Sequence, residues 1–222
     1  MKHLILSLSI AALTALYADY TVVLQTGDEQ QVFQYRDDRH ASVTMGEENK
    51  LMVIGDKTYM ISSRDGEKIA MDMDQMRSMM GAVGVNVQDE IKKAKDDLNI
   101  KIIKKGKTQK IAGVKGRVWT VEYTKNGRRE RSDVLVTKQR DIVKAMEAYS
   151  RILGRMAGDE DEDIMDFIQI KPGYVVIATL DEKDGFRLKK FHEKKIPAST
   201  FELSKDVRIQ QMPNFGKLFG GQ

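Results

Sequence analysis

Met71, Met73, Met76, Met79 and Met80 form the densest cluster of soft donor atoms in this 222-residue chain. Thioethers suit Cu(I), so a methionine-based copper carrier is one use of such a cluster. The same residues serve two other ends. Met73, Met76 and Met80 return to one side of a helix and can simply be core, and methionine's flexible side chain also lines surfaces that accept variable apolar partners. The spacing leaves all three open. Nucleophilic catalysis, by contrast, fails on inventory, because the chain has no cysteine, no G-x-S-x-G, and histidines only at His3, His40 and His192. Neither G-x-x-x-x-G-K-[ST] nor G-x-G-x-x-G is present to cradle phosphates. A zinc helix H-E-x-x-H begins at His192-Glu193 but meets Ile196 where the second histidine is required. Counted as a calcium loop from Asp159, the acidic run Asp159 to Asp163 has Ile164 at the glycine position and Ile170 at the closing glutamate. The missing cysteines also exclude disulfides, Cys-ligated zinc and iron–sulfur clusters. The expectation is a non-enzyme with no cofactor and no catalytic residues.

Charge is the second chemical signal. Lys and Arg total 37 against 33 Asp and Glu, but Lys92 to Arg131 holds fourteen positive residues and four negative ones. Such a stretch can contact anionic lipid headgroups or nucleic acid. Many of its cations alternate with apolar residues, which is equally the pattern of strands with one solvated face. No nucleic acid partner is expected.

These residues must be positioned by elements, and the first segment positions nothing. Met1-Lys2-His3 is a short positive start, Leu4 to Leu16 is apolar with a few hydroxyls, and Tyr17-Ala18 precedes Asp19. This is the pattern of a signal peptide over 1–18, too short to span a bilayer. With no cysteine to acylate, the expected product is a soluble periplasmic protein that is not a lipoprotein and has no transmembrane segment. Residues 19–222 read as one domain, with a loose glycine-containing tail over 213–222.

From Tyr20 to Met71, period-two runs broken by Gly27-Asp28, Asp37-Asp38, Gly46-Glu47, Gly55-Asp56 and Asp65-Gly66 predict an antiparallel meander. Leu51 to Ile54 is apolar on both faces and predicts a covered central strand. Met73 to Val87 changes to a helical period, interrupted by Gly81 and Gly84. Extended character returns near Ile100 to Lys105 and over Arg117 to Thr124, where Trp119, Val121 and Tyr123 share a face. Asn126-Gly127 marks a hairpin into Arg128 to Lys138. A helix from an Asp141 N-cap to Ala157 carries an apolar stripe of Ile142, Ala145, Met146, Tyr149, Ile152, Leu153 and Met156. A helical turn over Ile164 to Ile168 follows the acidic run. A last hairpin pairs Tyr174 to Leu180 with Phe186 to Phe191, and a final extended piece covers Thr200 to Leu203.

The order of these pieces resembles an exported bacterial family similar to the periplasmic lipoprotein carriers and receptors LolA and LolB. The residues that carry the resemblance are Asp56 to Ile61, Glu67 to Met73, the methionine-rich helix, Lys110-Ile111-Ala112-Gly113-Val114-Lys115-Gly116 leading into Trp119 to Tyr123, and Ser199 to Leu203. The resemblance implies an α+β fold: a single strongly curved antiparallel sheet, a half-barrel, covered on its concave face by two or three helices around an apolar cavity. The expected function is a binding or carrier protein for a lipid, a lipoprotein acyl chain or another apolar ligand. The cavity is expected between the sheet and the helices near 73–87 and 141–157, lined by Tyr59, Met76, Met80, Trp119, Tyr123, Tyr149 and Met156. Two alternatives are a structural or interaction module of the envelope whose basic stretch over 92–131 touches anionic lipid headgroups, and the copper carrier; an envelope protein is a further candidate partner.

Overall fold

A computed structural model describes residues 19–64, 66–82, 100–125, 127–157, 169–181 and 185–210. The leader, the acidic run, the helical turn after it and the tail therefore lie outside the described residues.

Six consecutive strands open the chain as a meander: β1 (Tyr20–Thr26), β2 (Glu29–Asp37), β3 (His40–Met45), β4 (Asn49–Ile54), β5 (Lys57–Arg64) and β6 (Glu67–Asp72). Each pairs antiparallel with its successor. The turns are tight because glycine supplies the positive φ they need, as at Gly46 (φ 64°) and Gly55 (φ 63°). Helix α1 (Met73–Ala82) follows directly. Next come β7 (Lys101–Ile111), β8 (Val114–Lys125) and β9 (Arg128–Thr137), then helix α2 (Arg140–Ala157), β10 (Val175–Thr179) and β11 (Phe186–Glu193). A 3₁₀ turn at Ala198–Phe201 and the short strand β12 (Val207–Gln210) complete the described chain.

All twelve strands belong to one open sheet in the order β12-β6-β5-β4-β3-β2-β1-β11-β10-β9-β8-β7. Every neighbouring pair is antiparallel except β12 with β6, which is parallel. The two meanders are joined at the centre by β1 on β11, where Tyr20 lies opposite Glu193 and Thr26 opposite Phe186. The fold is thus α+β, one antiparallel-rich sheet with two α-helices among the described residues.

Helix α2 buries its stripe on one face of this sheet. Ile142, Ala145, Met146 and Ile152 pack with Val22, Phe33, Val43, Leu51, Leu135, Ile177 and Leu188, and Phe33, Met146 and Ile152 are fully buried. Strand β4 is covered on both sides as its sequence predicts, with Leu51 and Val53 toward α2 and Met52 toward the other face.

The opposite face divides into two halves. Over β3 and β4 it is crossed by the segment from Lys194 to Asp206, which acts as a strap. Phe201 is 1% exposed, lies edge-on to His40 and sits under the Arg36 guanidinium, 5.0 Å from its ring centre. Leu203 and Val207 cover Met52, Tyr59, Ile61 and Ala70. Arg36 donates to the Ile196 carbonyl and pairs with Asp19 at 3.3 Å. The Ile196 N–H donates to the same Asp19 carboxylate at 2.6 Å, and the Lys194 N–H to the Asp19 carbonyl. The other half, over β7 to β10, carries Trp119, Val121, Val134, Val136 and Val176.

Two local expectations are corrected. Residues 200–201 are not extended: Pro197, with φ −55°, leads into the 3₁₀ turn, which the Thr200 N–H closes on the Pro197 carbonyl at 3.1 Å. Extended backbone resumes only at Glu202. The second helix begins at Arg140, two residues before the Ile142 start that an Asp141 N-cap implies, so Asp141 lies within its first turn, and its charge favours the helix N-terminus without capping it.

Candidate ligand cavity on the Trp119 face

In β8, Lys115, Arg117 and Trp119 occur at every second residue, and period two puts them on one face. Cross-strand register extends the set: Trp119 lies opposite Val134 on β9 and Lys105 on β7, and Arg117 lies opposite Val136. Val118 and Val114, at the intervening positions, face the α2 core with Leu135. Gly116 is required on that side, because a Cβ there would sit 2.7 Å from the Val136 carbonyl and 2.8 Å from Leu135 Cγ.

A cavity of about 420 Å³ opens on this surface, lined by Trp119, Tyr174, Val136, Thr137, Gly116, Thr108 and Gln139 together with Lys105, Lys115, Arg117 and Lys138. Tyr174 stands just before β10, where the turn through Gly173 (φ 75°) brings its ring to 5.0 Å from Trp119. Lys105 Nζ lies 5.3 Å above the indole and Lys171 Nζ 5.8 Å above the Tyr174 ring. The floor is buried, with Trp119 only 2% exposed, whereas the four cations of the rim are exposed. No aspartate or glutamate lines the cavity. Among the described residues none of the four rim cations forms an ion pair.

Three buried side-chain polar atoms find no partner among the described residues: Ser42 Oγ, Ser150 Oγ and Trp119 Nε1. Trp119 is the one of these that lines the cavity. A hydroxyl can rotate and can either donate or accept, but an indole nitrogen only donates, so it is satisfied by an acceptor or not at all.

A second, polar cavity of about 290 Å³ lies among Arg39, Gly55, Asp56, Thr58, Asp74, Arg77 and Arg155. Its charges are already committed. Arg39 pairs with Asp56 at 3.4 Å, Arg77 pairs with Asp74 and donates to the Arg155 carbonyl, and Arg155 donates to the Asp38 carbonyl. Next to it, burial pulls the Asp38 carboxyl upward, but hydrogen bonding from Tyr35 and the nearby Arg151 outweigh it and hold it below its ordinary value. Burial and the same Asp38 contact push the Tyr35 hydroxyl up to about 12.

The seven residues expected to line a cavity under the helices are spread over the sheet. Tyr149 belongs to the α2 core, where its hydroxyl donates to Gln31 Oε1 and burial pushes it up to about 12. Met76 packs on the edge of that core. Trp119 and Tyr123 share a cluster on the opposite face, and Tyr59 lies under the strap at the far end of that face. Met80 and Met156 fall within α1 and α2, and their side chains lie outside the described residues. Trp119 is thus the one expected residue that lines the cavity of about 420 Å³. Lys105, Lys115, Arg117, Lys138 and Tyr174 were absent from the expectation, although the i, i+2, i+4 spacing of Lys115, Arg117 and Trp119 already assigns three of the set to one face.

Among the described residues no group of three or more His, Cys, Asp or Glu is placed to hold a metal ion. No helix among them is long and apolar enough to cross a membrane. His40 contacts Asp37 at 2.8 Å at the mouth of the β2–β3 turn, and His192 lies near the end of β11. Comparison with known proteins returns no matching family, no matching curated protein and no matching solved structure.

Proposed function

We propose that the chain is a non-enzymatic, exported binding protein that carries an apolar or amphipathic organic ligand. Its curved sheet forms a half-barrel of the kind expected from the resemblance to the periplasmic lipoprotein carriers. The ligand sits in the Trp119 cavity, on the sheet face opposite α2.

The observation that carries this reading is the aromatic and aliphatic floor of Trp119, Tyr174 and Val136 beneath a cavity of about 420 Å³. Small-molecule sites occupy roughly 300–1,000 Å³ and combine apolar walls with a few polar groups. The helix-covered face supports the same choice. Its aromatic and aliphatic side chains, Phe33, Met146 and Ile152 among them, pack on one another to full burial.

Trp119 is the sole tryptophan in the sequence, so fluorescence excited selectively at tryptophan, outside the absorption of the seven tyrosines, reports on this ring. Titration with octanol is expected to shift its emission saturably. Mass spectrometry of organic extracts from the purified mature protein is expected to find one co-purified ligand class. No emission change together with a reproducibly empty extract would refute the reading.

A further inference from the structure

We infer that the ligand of the Trp119 cavity carries an anionic group, of the phosphate or sulfonate type, on its apolar body. This rests on the carrier reading and sharpens it.

Lys105, Lys115, Arg117 and Lys138 converge on one cavity that contains no carboxylate. Like charges gathered at one site repel, and at several other places among the described residues an aspartate answers the cation. Arg36 has Asp19, Lys57 has Asp72, Lys68 has Asp206, and in the second cavity Arg39 has Asp56 and Arg77 has Asp74. At the Trp119 cavity no described residue answers it. Among the described residues Trp119 Nε1, in the ring that floors the cavity, is a buried donor without an acceptor, whereas Thr137 Oγ1 donates to the Lys115 carbonyl. Donors and positive charge together, over an aromatic floor, fit an oxyanion joined to an apolar or aromatic group. Arg117 can give it two parallel N–H donors, and the lysines act as point charges. A neutral lipid or a plain hydrocarbon would leave this set unanswered.

Octyl phosphate and octanol share one chain and differ in the headgroup, so their comparison isolates the charge. Trp119 emission is expected to report octyl phosphate binding at least about tenfold tighter than octanol, which is about 1.4 kcal/mol. That preference should shrink with added salt. In the Arg117→Gln/Lys138→Gln double variant the preference should shrink, octyl phosphate affinity falling toward that of octanol, with a cooperative thermal transition showing that the variant folds. Equal binding of the two probes would overturn the anionic inference and leave the carrier reading standing. Failure of both probes would overturn the two together. Inorganic phosphate alone should bind far more weakly than octyl phosphate; equal binding would remove the apolar body from the inference. Vesicles of phosphatidylcholine with and without phosphatidylglycerol identify the source. Emission shifts with the anionic vesicles as well as with octyl phosphate assign the group to a bilayer headgroup, and shifts with octyl phosphate but with neither vesicle assign it to a free amphiphile. No shift with octyl phosphate or with the vesicles overturns the inference.

Discussion

The two halves of the sheet face opposite α2 are built from the same ingredients, and one half is finished while the other is not. In both, a cation lies over an aromatic ring that is nearly fully buried: Arg36 over Phe201 in one, Lys105 over Trp119 in the other. In the strap half, Arg36 has the Asp19 carboxylate and the Ile196 carbonyl, and the chain's own C-terminal segment covers the surface. In the Trp119 half, among the described residues, the rim cations face no acid and the indole N–H has no acceptor. The difference separates a surface where the chain satisfies its own polar groups from one where, among the described residues, it does not.

The comparison is broken most severely by removing the strap's anchor. Phe201→Ala should cost about 3–5 kcal/mol in urea unfolding, because a fully buried aromatic leaves a cavity that the surrounding sheet cannot refill. A cost below about 1 kcal/mol would show that the strap is not part of the cooperative unit.

A matched pair of neutralisations sharpens it next. Arg36→Gln strands a buried Asp19 carboxylate and should destabilise by about 1–3 kcal/mol. Arg117→Gln removes an exposed cation without an ion pair and should stay within about 0.5 kcal/mol of the parent, shifting toward higher stability at low salt. Equal losses in the two would erase the distinction between the halves.

The smallest effect concerns pH at the strap's far end. Hydrogen bonds from Lys68 and Ser204 hold the Asp206 carboxyl down at about 2 against an ordinary 3.8. A depressed carboxyl stabilises the fold only while ionised, and the unfolded chain takes up the proton first. The tie between β12 and β6 should therefore be intact above about pH 4 and weaken progressively as pH falls toward 2. Amide exchange at Arg208 and Gln210 followed through that window would register it, whereas the amides of β8 and β9 are not expected to respond to this group.

Much of the fold was legible because it is local. Turn residues every ten positions or so gave six meander strands in their order, and Asn126-Gly127 gave the β8–β9 hairpin, with Gly127 at φ 72°. The helical period of Ile142 to Ile152 named the side chains that α2 buries. The pairing of β1 with β11 and the parallel addition of β12 to β6 were not legible. They join segments far apart in the chain, and no turn residue marks them. The site was half legible for a related reason. Alternation correctly grouped Trp119 with Tyr123 and left Lys115 and Arg117 on the same face, but alternation does not say which face a helix will cover.

By itself, then, the sequence determined the strands up to β11, the two helices, the absence of thiol chemistry and the interleaving of cations with apolar residues in β7 and β8. Each of these follows from backbone period, turn chemistry or inventory, which act over a few residues. Only the tertiary structure decided that α2 takes one face of the sheet, that the C-terminal strap takes half of the other, and that Trp119 and Tyr174 meet below four uncompensated cations. A strand's two faces are equivalent until a distant segment packs on one of them, and that choice is made by the burial energy of the whole assembly.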